Sequence, residues 1–158
     1  MIVFRKANLH DAEELAKIRC QLLKEIADTS KTKLSQKELN DLKEANKSYF
    51  NSALKDDSFA AWLALHGDKI IATSGLSFSV VPPYPKCLDG KAAYIMNMYT
   101  LKDYQKQGIG TELLKRIVEE AKIRGYKKIT LNATETGRKL YEKFGFKEVN
   151  NGMVFYIE

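Results

Sequence analysis

Two glycines in the segment 105–110 separate an apolar, strand-like run from an amphipathic helix. The preceding run, residues 92–101, is rich in aromatic and apolar residues and lacks Gly and Pro, which is typical of a buried strand. From Thr111 on, apolar residues recur along one helical stripe: Leu113, Leu114, Ile117, Val118 and Ala121. A strand, a glycine turn and a helix in this order favour a sheet with a helix packed on it.

The same turn has the chemistry of an anion site. Gly108 and Gly110 have no side chains to block an approaching anion, and the first turn of a helix leaves its N–H groups without intrahelical partners. These donors and the positive end of the helix dipole favour a diphosphate. Neither a P-loop nor a dinucleotide fingerprint is present, and close packing of a helix on a strand also selects glycine. The turn alone therefore leaves a phosphate cradle and a simple tight turn as alternatives.

Length and composition predict one cytoplasmic domain, residues 1–158. The 158 residues with 44% hydrophobic content fit a single normal core. No apolar run approaches the roughly 20 residues that span a bilayer, and the first residues lack the layout of a signal peptide, so we expect no membrane partner. Cys20 and Cys87 are expected to be free thiols. With two distant histidines they show no metal-ligand spacing, so we expect no metal.

Periodicity, caps and turn residues predict the element order βααββ, then β, glycine turn, α, β, α, ββ. The expected strands cover 2–6, 59–65, 69–78, 92–101, 127–133 and a final hairpin over 146–158 that turns at 150–152. The expected helices run from Asn8 or Asp11 to about Asp28, from Ser35 to about Leu54, from Thr111 to near Gly125, and over 136–144. A loop at 80–90 holds all three prolines and is either a spacer or a substrate-lining loop. This order indicates a mixed α/β sheet covered by helices.

The turn at 105–110, Gln-Lys-Gln-Gly-Ile-Gly, matches the Q/RxxGxG/A signature of the GNAT superfamily, the Gcn5-related N-acetyltransferases. The chain resembles this family also in the strand 96–100, the helix end 121–125 and the segment 137–146, and in element order over essentially its whole length. Lys102 departs from the pattern, since many members have Pro there. The resemblance implies a three-layer fold with a twisted, mostly antiparallel mixed sheet of about seven strands and about four helices.

The resemblance also implies acetyl-CoA-dependent transfer of an acetyl group to a primary amine of a small molecule or protein, by direct attack in a ternary complex. The implied pyrophosphate contacts are the backbone N–H groups of the turn that Gln105 begins, namely those of Gln107, Gly108, Ile109, Gly110 and Thr111. The implied pantetheine contacts are the backbone of Met98 and Thr100 and the side-chain amide of Asn132. From the residues alone, Asn132 is as readily a strand-end turn former.

Tyr141 is the catalytic residue that the resemblance implies, because the family places a Tyr hydroxyl near the leaving sulfur. A thiol pKa of about 8.5 means that a nearby proton donor assists departure of the thiolate. Without the family, the favoured interpretation is that Tyr141 packs a short helix onto the sheet. The backbone N–H of Met98 is the implied donor to the oxyanion.

The acceptor side is less defined. An alkylammonium with a pKa near 10.4 lies about 4.6 kcal/mol from its neutral form at pH 7, so a base or a depressed amine pKa is needed. Glu25 and Glu135 are candidate bases acting through water, with ordinary surface carboxylates as the alternative. Trp62, Phe78 and Tyr84 either line an acceptor pocket or pack in the core and the loop.

Two rival functions belong to other classes. A non-catalytic acyl-CoA binding or sensing domain would keep the cradle without turnover. A nucleic-acid module has support only from charge, since residues 91–158 carry 13 Lys and Arg against 8 Asp and Glu. The basic residues are interleaved with acids, as on an ordinary surface. We therefore expect acetyl-CoA and an amine as partners, no nucleic acid, and a monomer or homodimer.

Overall fold

The computed structural model describes residues 1–149 and 151–157. Within them, one five-stranded sheet has the spatial order β1-β2-β3-β4-β5. The strands are β1 (Ile2–Lys6), β2 (Phe59–His66), β3 (Lys69–Val80), β4 (Lys91–Thr100) and β5 (Ile129–Leu131). The helices are α1 (Ala12–Thr29), α2 (Gln36–Lys55), α3 (Ile109–Ile123) and α4 (Glu135–Phe144), with 3₁₀ turns at Leu9–Asp11 and Lys102–Tyr104. The expected mixed α/β class with about four helices is confirmed.

The sheet opens along one edge of β4. Antiparallel pairing joins β1 to β2, β2 to β3 and β3 to β4, whereas β5 runs parallel to β4. A bulge interrupts the β3–β4 register, so that Asn97 and Met98 lie opposite Ser74 alone. β5 pairs only with residues 93–95. In the described part of the chain, the second half of β4 therefore has no partner strand on the β5 side.

Helices cover both faces of the sheet, as the three-layer expectation requires. α1 and α2 pack on one face of β2 around a fully buried cluster: Leu15, Ala16, Phe50, Phe59 and Leu63. α3 and α4 pack on the opposite face, and the apolar stripe expected for α3 is buried there: Leu113, Leu114, Ile117, Val118 and Ala121. Because each strand alternates its side chains between these two layers, the sheet carries two separate cores.

Side-chain caps fix the starts of the first two helical segments. Asn8 and Asp11 form a capping box around the 3₁₀ turn before α1, and Ser35 and Glu38 form another at the start of α2. Each box satisfies backbone N–H groups that a helix start leaves unpaired. Both helices therefore begin where the sequence predicted. No helix in the described residues is both long and apolar enough to cross a bilayer.

The expected final hairpin is wrong for the residues that the structure describes. Residues 146–149 and 151–157 contain no strand. The sheet in the described residues therefore has five strands and not about seven. Part of the expected turn, Asn150, lies outside the described residues, as does Glu158. The large apolar side chains of 153–157 are all more than 70% exposed. Alternating β-formers do not pair without a neighbouring surface to pack against, and none covers this segment in the described residues.

Two boundaries also differ from expectation. β5 has three residues where seven were expected over 127–133, because the bulge at Asn97 turns β4 away from its parallel partner. α3 begins at Ile109, two residues earlier than expected, since Gly108 already serves as its N-cap. The early start brings the glycine turn directly into the first turn of the helix.

Candidate active site

In the described residues, the helix that follows the glycine turn, α3, has no side-chain cap at its N-terminus. Gly108 has a φ of 80° and a ψ of −1°, a left-handed conformation that L-residues adopt only at a cost. Its carbonyl accepts from the N–H of Glu112 at 3.1 Å. No side chain among the described residues caps this end of α3. The N–H groups of residues 109–111 therefore point out of the helix without an intrahelical acceptor.

Two glutamine side chains hold the turn in place. Gln105 Nε2 donates to the carbonyl of Thr100 at 2.9 Å, and Gln107 Nε2 donates to the carbonyl of Asp103 at 3.1 Å. The first contact ties the turn to the end of β4. Both glutamine side chains thus bond within the loop and hold its backbone in place.

The backbone of β4 presents donors to the open edge. The N–H of Leu101 donates to Ile71 on β3 at 2.9 Å. Because successive N–H groups of a strand point to opposite edges, those of Met98 and Thr100 point away from β3. That is the side where β5 has already ended. The short segment 101–108 thus joins the strand donors at the end of β4 to the N-terminus of α3.

Asn97 is a residue of this edge that the sequence reasoning missed. It has a φ of 58°, is 2% exposed, and neither polar atom of its side chain has a hydrogen-bond partner among the described residues. Its carbonyl accepts from Thr73 Oγ1 at 2.7 Å. A buried unsatisfied amide is costly and rare. The available signal was an Asn in the middle of an otherwise apolar strand.

Tyr141 lies on α4 and is 8% exposed. Burial, with a smaller contribution from Tyr94, raises its pKa to about 12. The hydroxyl therefore keeps its proton at neutral pH and is a hydrogen-bond donor. Asn132 is exposed directly after β5, and Glu135 is exposed in the first turn of α4.

Glu25 has a different environment from Glu135. The hydroxyl of Tyr99 donates to Glu25 Oε1 at 2.7 Å and accepts from Gln21 Nε2 at 2.9 Å. Burial and the contact with Glu25 raise the pKa of Tyr99 to about 12, so its hydroxyl also stays protonated. Sequence reasoning missed Tyr99 and Gln21. No local signal announces a contact between residues 74 positions apart.

The remaining candidates are three aromatic residues and two thiols. Trp62 and Phe78 are half-buried against the α3 core, and Tyr84 lies in the proline loop with Lys128 over its ring. Cys20 and Cys87 are free thiols, as expected. Burial raises the pKa of the Cys20 thiol, which makes it a poor nucleophile. Within the described residues, no three His, Cys, Asp or Glu side chains are grouped as a metal site needs.

Comparison with known proteins gives consistent matches. The model of the acetyltransferase (GNAT) family matches residues 21–146. A predicted acetyltransferase of Clostridium acetobutylicum, solved with acetyl-CoA, is 32% identical and superposes with a TM-score of 0.88 over 99% of this chain and 96% of its own. A GCN5-related N-acetyltransferase of Ralstonia eutropha JMP134 is 26% identical, with a TM-score of 0.87 over 99% of both chains.

A curated relative matches over part of its length. An uncharacterized N-acetyltransferase of Bacillus subtilis (strain 168) is 31% identical over 99 residues, which span 60% of this chain and 60% of that relative.

Proposed function

Because this chain belongs to the acetyltransferase (GNAT) family, we propose that it transfers an acetyl group from acetyl-CoA to a primary amine. The proposal rests on two features of the described residues. The N-terminus of α3 has no side-chain cap, and the second half of β4 has no partner strand on the β5 side. A diphosphate fits the first, and an extended, amide-containing arm fits the second as an added strand would. Coenzyme A contains both a diphosphate and an extended arm with amide groups.

Different groups of the chain would contact different parts of acetyl-CoA. The N–H groups of Gln107, Gly108, Ile109, Gly110 and Thr111 would hold the pyrophosphate. Met98 and Thr100 would hold the pantetheine amides, with Asn132 as a further amide contact from the end of β5. Acetyl-CoA supplies an activated acetyl thioester for the amine to attack. The N–H of Met98 would then donate to the carbonyl oxygen as that oxygen gains negative charge.

Tyr141 would donate a hydrogen bond to the departing sulfur. A tyrosine whose pKa is about 12 is a weaker acid than a thiol with a pKa of about 8.5. Full proton transfer from this tyrosine to a released thiolate with that pKa is therefore uphill by roughly 5 kcal/mol. Stabilisation of the developing negative charge by the hydroxyl needs no such transfer. Direct attack also requires no thiol of the enzyme, in agreement with the raised pKa of the Cys20 thiol.

The acceptor amine must lose a proton before or during attack. Glu25 and Glu135 remain the candidate bases, each acting through water. Glu25 is half-buried and accepts a hydrogen bond from Tyr99, whereas Glu135 is exposed. We keep a reducing, cytoplasmic location as part of the proposal, which two free thiols suit. A monomer or homodimer without a nucleic-acid partner also remains part of it.

Binding and turnover test this proposal separately. We expect isothermal titration calorimetry to detect acetyl-CoA and coenzyme A but not ATP or DNA. We expect thiol release from acetyl-CoA to require an amine, in a panel of amino acids, polyamines, aminoglycosides and peptides. Binding without release for any acceptor would favour an acyl-CoA sensing domain. Absence of acetyl-CoA binding would refute the proposal outright.

A further inference from the structure

Glu25 is unusual among the carboxylates of this protein. Four carboxylate residues in the described part of the chain are at least half-buried: Asp11, Glu25, Glu112 and Glu120. Three of them have a cation at hydrogen-bond distance. Asp11 pairs with Arg5 at 2.7 Å, Glu112 with Arg116 at 2.9 Å, and Glu120 with Lys6 at 2.6 Å. No cationic side chain of the described residues lies within 4.0 Å of Glu25.

The contacts of Glu25 leave room for a donor. Its Oε1 accepts from the Tyr99 hydroxyl at 2.7 Å and from Gln21 Nε2 at 3.5 Å, whereas its Oε2 has no partner among the described residues. The Tyr99 oxygen donates to Glu25 and accepts from Gln21, which leaves it one lone pair. Partly burying a carboxylate without a cation is unfavourable. An incoming ammonium would supply both the missing charge and the missing donors.

This pair lies next to a residue of the proposed acetyl-CoA site. Tyr99 follows Met98 directly on β4, and its side chain lies on the α1 face of the sheet, where Gln21 and Glu25 meet it. The open edge of β4 is in the plane of the sheet. A molecule bound against Tyr99 would therefore approach that edge from the α1 face. The glycine turn belongs to α3, which packs on the opposite face.

A cavity of about 360 Å³ is connected to the pair through Gln21, which lines it and donates to Tyr99. Apolar and charged side chains line this cavity together with Gln21. They include Glu14, Lys17, Ile18, Asp68, Lys69 and Ile70. This volume falls within the range of small-molecule sites. Charges of both signs at its wall suit a small polar molecule better than an apolar one.

We propose that Glu25 and Tyr99 bind the ammonium group of the acceptor, and that the acceptor is a small polar primary amine whose body occupies the cavity beside Gln21. This inference rests on the proposed acetyltransferase function. Glu25 binds the amine as its ammonium, and the proton that the nitrogen loses before attack passes to water or to a carboxylate through water. Tyr99 positions the Glu25 carboxylate and contacts the same nitrogen. The rival explanation is that the pair only fastens α1 to β4.

Glu25→Gln separates these explanations, because a glutamine still accepts a hydrogen bond from Tyr99 but carries no charge. We expect the KM of the best small amine to rise at least roughly tenfold, the effect of losing one charge-assisted hydrogen bond. The KM of acetyl-CoA should stay within about twofold, because Glu25 shares no hydrogen-bond partner with the glycine turn in the described residues. The matched control is Glu44→Gln on α2, an exposed carboxylate with the same loss of charge. It should leave both KM values unchanged.

Tyr99→Phe gives a second variant, since it keeps the ring and removes the hydroxyl. It should also raise the amine KM and leave the acetyl-CoA KM unchanged. If wild type transfers acetyl groups while Glu25→Gln and Glu44→Gln both behave as wild type, the inference is refuted and the proposed function stands. A peptide acceptor with a higher kcat/KM than every small amine would also overturn it. No transfer by wild type to any amine would remove the proposed function and this inference together.

Discussion

Alanine at Gly108 and at Gly110 should have opposite effects on stability. Gly108 has a φ of 80°, and a Cβ added there meets no atom within 4 Å. The cost of alanine is therefore conformational and not steric. Holding an L-residue in the left-handed region costs about 1–2 kcal/mol. We expect Gly108→Ala to lower the free energy of unfolding by that amount.

Gly110 has no positive φ and lies in the first turn of α3, where an added Cβ would be 3.5 Å from Leu140 Cδ2. That distance is an ordinary van der Waals contact. Alanine is favoured over glycine in a helix by about 0.5–1 kcal/mol. Gly110→Ala should therefore be neutral or slightly stabilising, and the two variants should differ by about 2 kcal/mol.

Urea unfolding followed by the fluorescence of Trp62, the single tryptophan, measures both values. The control is Gly125→Ala at the other end of α3, whose φ of 79° gives the same backbone cost far from the glycine turn. Gly125→Ala should lose as much stability as Gly108→Ala but keep the affinity for acetyl-CoA, which calorimetry measures. Equal losses at Gly108 and Gly110 would refute the reasoning from φ and space. Equal affinities in Gly108→Ala and Gly125→Ala would refute the cradle.

Three further variants test other parts of the structure. Tyr141→Phe keeps the buried ring but removes one hydrogen-bond donor to the sulfur, so turnover should fall about 100-fold with little change in acetyl-CoA affinity, and full activity would remove Tyr141 from the mechanism. Burial opposes ionisation of Asp11, but Arg5 and the Asn8 N–H outweigh it and hold its pKa below the ordinary value. Stability from Asp11 is thus present above about pH 4 and lost as the pH falls through its folded-state pKa. Asp11→Asn should destabilise at pH 7 by about 1.5–3 kcal/mol. In denaturant titrations, a stability difference between wild type and variant that does not shrink from pH 7 to pH 3 would contradict this. Ser35→Ala removes the α2 cap and should cost about 1 kcal/mol in the same titrations.

Local patterns were good predictors wherever the physical cause is itself local. The Ser35 capping box and the apolar stripe of α3 depend on neighbours three or four residues away, and both lie where the sequence placed them. The turn between β2 and β3 follows the same logic, since residues 66 and 69 pair directly across it. The final hairpin failed because its pairing depends on a surface that sequence spacing does not reveal.

The candidate site divides in the same way. The sequence by itself determined the glycine turn, because left-handed backbone and unpaired helix N–H groups arise within a few residues of Gly108. It also determined, through the family pattern, that the fold is a mixed sheet between helices. Only the tertiary structure decided that Glu25 lies against Tyr99 and that no cationic side chain of residues 1–149 and 151–157 pairs with it. The register of α1 over β4 sets that contact, and long-range packing fixes this register through many weak contacts that no single residue records.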